Sequence, residues 1–142
     1  MREVRVEHAL ICEDARTELG GKTTVIGLFG ASPHVSIEVP NFGVIARLCF
    51  FFMTSPSKRR ATQRLTDFTL SLKGKHDIKT QRGDLPLMEL EPGKTTQMIF
   101  TIGNVQLSEA GRYRFEVRDD DGVFAEAEFE VALATPGKTP PT

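Results

Sequence analysis

The sequence predicts an all-β protein: two antiparallel sheets of seven to eight short strands, stacked face to face as a sandwich. Three observations lead there. Apolar and polar residues alternate with a period of two along most of the 142 residues, and no stretch of helical length holds a 3.6-residue period. Turn signals separate the alternating stretches at a spacing of roughly ten residues. The composition, 39% hydrophobic and 26% charged with a formal net charge of −1, is that of one globular domain able to bury a core without metals or disulfides. The longest apolar run, Leu48 to Met53, falls far short of the ~20 residues that a membrane helix needs. The first residues alternate charge with valine and hold no apolar core of a secretory signal, so a cytoplasmic location is expected.

Val4, Val6, His8 and Leu10 alternate with Arg5, Glu7 and Ala9, which predicts a first strand ending near Cys12. Polar residues from Glu13 lead to the turn Gly20-Gly21. Lys22 to Phe29 is β-branched and reads as the second strand. Pro33 and Pro40 bracket a short extended piece, Val35 to Val39, which belongs at a sheet edge because proline cannot donate to a ladder. Gly43 to Met53 is the strongest strand, and Leu65 to Leu72 follows with one wet face. Lys73-Gly74-Lys75 turns into His76 to Thr80. Arg82 to Lys94, with Pro86, Pro92 and Gly93, reads as a crossover loop, and Thr96 to Ile102 as a strand. The last hairpin is the cleanest: Tyr113, Phe115 and Val117 alternate with charges, Asp119-Asp120-Asp121-Gly122 turns, and Ala125, Ala127, Phe129 and Val131 alternate with glutamates. Residues 1–133 form the single domain of this reading; 134–142, rich in proline, form a disordered tail.

Leu107 to Tyr113 refines the fold. A glycine two before a tyrosine, leading into a late strand, resembles the corner of immunoglobulin-like sandwiches, whose tyrosine hydroxyl bonds back to backbone a few residues upstream. Tyr113 is the chain's one tyrosine, so Tyr113, Gly111 and the turn glycine Gly122 are assigned structural roles. Phe115 stands where that corner usually has a cysteine, so no inter-sheet disulfide is expected there. If Gly122 takes the left-handed position of a three-residue loop, Asp119 faces Val123, Tyr113 faces Phe129, Arg112 meets Glu130, and Arg114 meets Glu128. The same register sets Glu116 unfavourably against Glu126.

Chemical motifs are scarce. Gly20-Gly21-Lys22-Thr23-Thr24 is like the end of a phosphate-binding loop, but Arg16 stands where the leading glycine is needed and a strand follows instead of a helix. No serine sits in a nucleophile elbow, and His8, His34 and His76 form no metal-ligand pair. His8 shares the apolar parity of strand one and reads as a core or edge histidine. These readings predict no enzyme, no catalytic residue and no cofactor. Asp119, Asp120 and Asp121, joined by Glu13 and Asp14 if the loops converge, are weak candidates for an oxygen-rich calcium site, although Asp-Gly is foremost a hairpin signal. Arg82-Gly83-Asp84 matches an adhesion tripeptide but reads as a loop turn.

Cys12 and Cys49 match no metal or redox spacing and read as small buried hydrophobes in a reducing compartment, a cross-strand disulfide being the alternative. Charge is uneven: Ser57 to Arg82 carries eight basic residues against two acidic, Glu109 to Glu130 eight acidic against three basic. Solvated surface is the favoured reading of the basic stretch, ahead of an acidic protein partner. Phe68, its only aromatic, points inward by parity, so nucleic acid is not the expected partner. Gly43 to Met53 is apolar on both parities except for Arg47. Its second face needs cover, either from the chain's own Leu85 to Leu90 loop or from a partner, and Phe51 and Met53 are the interface residues it nominates.

Leu10-Ile11-Cys12-Glu13-Asp14-Ala15-Arg16, then Gly21-Lys22, Ile26-Gly27-Leu28-Phe29 and finally Gly111-Arg112-Tyr113-Arg114-Phe115-Glu116-Val117, resemble a bacterial family of short uncharacterised proteins. The resemblance implies a cytosolic β-sandwich and transfers no functional residue. The reading reached is a non-enzymatic macromolecular-interaction module, with an unidentified protein or a second copy as partner and no membrane. A calcium- or carbohydrate-binding module is the alternative.

Overall fold

A computed structural model describes residues 6–19, 22–56, 61–119 and 122–134, and every structural statement below concerns those residues. They contain nine strands: β1 Val6–Thr17, β2 Thr23–Ala31, β3 Ser36–Val39, β4 Gly43–Thr54, β5 Ala61–Lys73, β6 Asp77–Leu90, β7 Gln97–Leu107, β8 Gly111–Asp119 and β9 Gly122–Leu133. A four-stranded sheet of order β2-β1-β4-β7 packs on a five-stranded sheet of order β3-β9-β8-β5-β6. The short β3 brings the count to nine. No helix long and apolar enough to cross a membrane is present among these residues.

Aromatic stacking between the sheets forms the core. Successive residues of a strand point to opposite faces, so β4 sends Leu48, Phe50 and Phe52 inward, beside Ile11 of β1 and Met98, Phe100 and Ile102 of β7. The five-stranded sheet answers with Phe68, Leu72, Tyr113, Phe115, Val117, Ala127 and Phe129. Phe50 lies flat on Phe115 with ring centroids 4.0 Å apart. Tyr113 stacks on Phe129 at 5.5 Å, and its hydroxyl donates to the Glu109 carbonyl at 2.6 Å, the upstream bond that the corner motif anticipates. Its ring also covers Gly74, where a Cβ would come within 2.8 Å of Tyr113 Cε1.

Several expectations are corrected. The pairing is not wholly antiparallel: β3 runs parallel to β9, from Ser36 opposite Glu130 to Val39 opposite Leu133. The chain leaves the four-stranded sheet at Ser32-Pro33-His34 and enters the other sheet at its outer edge, a crossing that local alternation does not encode. β1 continues past Cys12 to Thr17, because its polar half pairs with β2 from Thr17 opposite Thr23 onward. Arg82 to Leu90 is strand and not crossover loop. β6 is an edge strand, so Pro86 costs no ladder bond on its open side. The Arg82-Gly83-Asp84 tripeptide therefore lies in a strand, with Gly83 opposite Phe68. His8 does not share the core parity: a register shift between Val6 and His8 turns Val6, Ala9 and Ile11 inward and leaves the His8 side chain 67% exposed.

A second parity change lies across β4 and β7. Asn104 adopts a left-handed φ of 51°, and Ile102 and Val105 are both buried on either side of it. On the facing strand Ile45 packs on the core and Val44 is 60% exposed, the reverse of strict alternation from Phe50. At the other end of the domain, Ala134 donates to the Val39 carbonyl at 2.8 Å. Residues 135–142, Val4 and Gly20-Gly21 lie outside the described residues.

The last hairpin keeps the expected register from Gly111 opposite Val131 to Val117 opposite Ala125. Its tip differs: Arg118, not Asp119, faces Val123, and Asp119 pairs with Gly122. The shift lets Phe124 and Ala125 both enter the core. Glu116 does face Glu126, but the Arg114 guanidinium lies 3.6 Å from the first and 3.9 Å from the second, and Arg118 reaches Glu116 at 3.3 Å. Like charges tolerate one another because a cation sits between them.

Tyr113→Phe removes one buried hydroxyl bond without changing shape, and it should lower unfolding free energy by about 1 kcal/mol in urea titration. An unchanged midpoint would show that the Glu109 carbonyl finds another donor.

Candidate functional site

The two outward faces of the sandwich differ in chemistry. On the five-stranded sheet the row is charged. Arg112, Arg114, Glu116 and Arg118 project from β8, and Glu126, Glu128 and Glu130 from β9. Arg114 Nε donates to Glu128 at 3.1 Å, and Arg112 reaches the same carboxylate diagonally at 3.1 Å instead of pairing with Glu130 opposite it. Hydrogen bonding from Arg114 holds the Glu128 carboxyl below its usual range, against a smaller opposing effect of burial. Such a face is at home in water.

The outward face of the four-stranded sheet is apolar in its middle rows and polar at its ends. Leu28, Cys12, Cys49 and Thr101 lie abreast on β2, β1, β4 and β7, and Leu10, Phe51 and Ile99 form the next row. Leu28 is 58% exposed and Ile26, two residues along on the same face, 42%. Phe51, nominated from sequence, is only 5% exposed, and Met53 is half-buried. The Leu85 to Leu90 segment expected as cover belongs to β6 of the other sheet, so Phe51 is enclosed by its own sheet neighbours. Phe51 and Met53 line a hollow of about 280 Å³ with Leu10, Ala31 and Ser32, and Glu7 and His8 also border it. At the far end of the same face Asp14 bridges Arg16 at 3.2 Å and Arg47 at 3.1 Å. Burial pushes the Asp14 carboxyl up, but bonds from Arg16 and the Ala15 amide and the Arg47 charge together bring it below its ordinary value.

Cys12 and Cys49, far apart in sequence, face each other directly across β1 and β4 as free, fully buried thiols. The Cys12 thiol lies 3.8 Å from the Cys49 carbonyl, and Thr101 Oγ1 lies 3.7 Å from Cys49 Sγ. Burial, then the adjacent Cys49, pushes the Cys12 thiol up to about 12.

A third feature was not anticipated from the sequence. A cleft of about 540 Å³ opens between β3 and the β1, β2 and β4 end of the other sheet. Phe29, Ile37, Val39, Ile45 and Ala46 supply its apolar lining, and Glu13, Asp14, Glu38 and Arg47 its charges. Gly27 of β2 has φ of 63°, and a Cβ there would sit 2.7 Å from Glu13 Cδ. The Glu13 side chain therefore lies across a position that only glycine leaves open. The sole sequence signal was an isolated glycine inside a strand pattern.

The other nominated residues do not assemble. His8, His34 and His76 lie on β1, in the β2–β3 turn and in the β5–β6 turn. Of the calcium candidates, Asp120 and Asp121 lie outside the described residues and Asp119 is half-buried beside Gly122. Val123 and Phe124 line a hollow with Val6 to Ala9, the opposite end of β1 from Glu13 and Asp14, so these loops do not converge. Among the described residues no group of three His, Cys, Asp or Glu is placed to hold a metal. Lys58, Arg59 and Arg60 of the basic stretch lie outside the description; Lys73 and Lys75 are exposed, the latter 3.8 Å from Glu109.

Comparison with known proteins adds a family and a distant likeness. The model of DUF6941, a family of unknown function, matches residues 7–132. No curated protein matches. Among solved structures, Pseudomonas fluorescens alkylpurine DNA glycosylase AlkC bound to DNA with an abasic site analog is similar at TM-score 0.48 and 16% identity, covering 93% of this chain and 31% of that one. A β-glucosidase from Listeria innocua in complex with laminaribiose is similar at TM-score 0.42 and 10% identity, covering 92% and 16%. The chain thus spans less than a third of either protein.

The enclosed thiols give a measurable consequence. An unfolded cysteine loses its proton near pH 9, whereas folded Cys12 keeps it to about 12. Within that window the unfolded state binds fewer protons, so stability falls as pH rises and is unaffected by this group below it. Urea titrations from pH 8 to 11 should show the fall, shallower in Cys12→Ala, and native protein should resist thiol reagents until denatured.

Proposed function

Since the chain belongs to the family of unknown function DUF6941, we propose that it is a non-enzymatic macromolecular-interaction module that associates with a second copy of itself. The supporting observation is the contrast between its outward faces, one a charged ladder and the other an apolar sheet with Leu28 and Ile26 exposed. A sandwich working alone has water on both outer faces, and a broad apolar one marks a surface that is covered in use. The Tyr113 corner supports an immunoglobulin-like sandwich, and the two free thiols facing one another support a reducing, cytoplasmic setting.

The order of features along β1 favours a second copy as the occupant. From one end to the other the face carries Glu7, the hollow over Phe51 and Met53, the knobs Leu28 and Ile26, and then Arg16 and Arg47. A copy turned by a two-fold axis lying in the face and across the strands presents the reverse order. Knobs then meet hollows, and Glu7 meets the arginine end, twice over, as an isologous contact requires. Pairing through the β2 edge fits less well, because the left-handed Gly27 interrupts that strand.

Sedimentation of the purified chain at micromolar concentration should show a dimer. Leu28→Glu and Ile26→Glu, both at exposed positions, should give monomers that keep the wild-type circular dichroism spectrum and lose only the concentration-dependent part of the melting temperature. A wild-type monomer, or variants that remain dimeric, would overturn the proposal.

A further inference from the structure

The cleft beside Gly27 adjoins the arginine end of the proposed dimer contact, with which it shares Arg47, but its chemistry points to a different ligand. Its apolar lining, Phe29, Ile37, Val39 and Ile45, can enclose a short hydrocarbon or aromatic body, and its volume of about 540 Å³ is that of a small-molecule site. The charges lining it are unequal in availability. Arg47, the one cation there, is engaged by Asp14 at 3.1 Å, and Asp14 is engaged twice, by Arg47 and Arg16. Glu13 and Glu38 have no hydrogen-bond or ion-pair partner among the described residues. Glu13 is set in place by backbone: Gly27, with φ of 63° and no Cβ, leaves the space its carboxyl group occupies. A glycine conformation that L-residues rarely adopt, beneath an unpaired carboxylate at the mouth of an apolar cleft, makes the site prefer a cation.

We infer that this cleft binds a primary ammonium group carried on an apolar body, with Glu13 accepting its N–H donors and Phe29 and Ile45 packing on the hydrocarbon. A charged acceptor bonding an ammonium gives a stronger hydrogen bond than a neutral one, and the apolar wall supplies the remaining attraction. Two sources share this chemistry, a free amine and the lysine of an extended peptide.

Titration followed by amide NMR shifts tests the inference. Hexylammonium chloride should bind saturably, shifting Phe29, Val39 and Ile45, while sodium hexanoate, equal in length and opposite in charge, should bind more weakly. Glu13→Gln should weaken hexylammonium by about five-fold or more, the loss of one charge-assisted bond, and Glu13→Lys should abolish its binding. Neither change removes a partner that the fold uses, so melting temperature should hold. A blocked phenylalanyl-lysine amide titrated alongside identifies the source: tighter binding than hexylammonium means a peptide lysine, weaker binding a free amine. Absence of saturable ammonium binding, equal binding of hexanoate, or an unchanged affinity in Glu13→Gln would each overturn the inference. The Leu28→Glu monomer should bind as the wild type does, which separates this site from the dimer face.

Discussion

The two sheets are held together most closely where Phe50 lies against Phe115, 4.0 Å between centroids and 5° from parallel. Each ring comes from an interior strand of its sheet, β4 and β8. Phe52, Phe100 and Phe129 surround the pair at 6.0 to 6.2 Å from one or other ring. Losing a buried aromatic ring of this kind costs about 3–5 kcal/mol, a large part of a domain's usual stability. The small Ala127, directly opposite Phe115 on β9, complements the bulk of these rings. Once Phe50 and Phe52 are committed to that contact, the two-residue period of the strand gives Cys49, Phe51 and Met53 no inward place. The apolar outer face is thus a consequence of the core, because β4 is apolar on both sides.

That constraint explains why the two thiols are enclosed side by side. Cys12 and Cys49 face each other because Ile11 and Phe50, one residue back and one forward, are paired on the inner side. Neighbouring Leu10, Phe51 and Thr101 enclose them, so a thiolate there would be desolvated. The cysteines behave as small hydrophobes that fill the middle of a flat face. The same packing keeps Phe51 enclosed and leaves the exposed apolar atoms to β2, whose open edge gives Leu28 and Ile26 fewer neighbours.

Legibility in the sequence followed how local each determinant is. The β8–β9 hairpin and its inward Tyr113–Phe129 pair were readable because turn, alternation and register lie within twenty or so residues. Tyr113's hydroxyl bond was readable because it spans four residues. The hidden features are those that depend on one backbone angle or on distant neighbours. The shift near Glu7 moved His8 to the outside, and the left-handed Asn104 exchanged the roles of Val44 and Ile45. Pro86 seemed to end a strand because its edge position is a property of the sheet and not of the segment. The parallel β3–β9 pair rests on a crossing between sheets, which periodicity cannot report.

The candidate cleft follows from the same non-local facts. β3 has four residues between Pro33 and Pro40, whereas β1 and β4 have twelve each. The wall that the five-stranded sheet offers opposite Phe29 and Ile45 is therefore only Ile37 and Val39 deep, and the longer strands project past it. Apolar side chains on the projecting part are half-buried at best, which is why Phe29 and Ile45 pack at the margin of the core. Asp14 divides this end in two. By holding Arg47 and Arg16 it offsets part of the positive charge that would otherwise balance Glu13 and Glu38, and it ties the arginines to the outer face. A short edge strand, a left-handed glycine and one doubly bonded aspartate together leave an open apolar cleft whose free charge is negative.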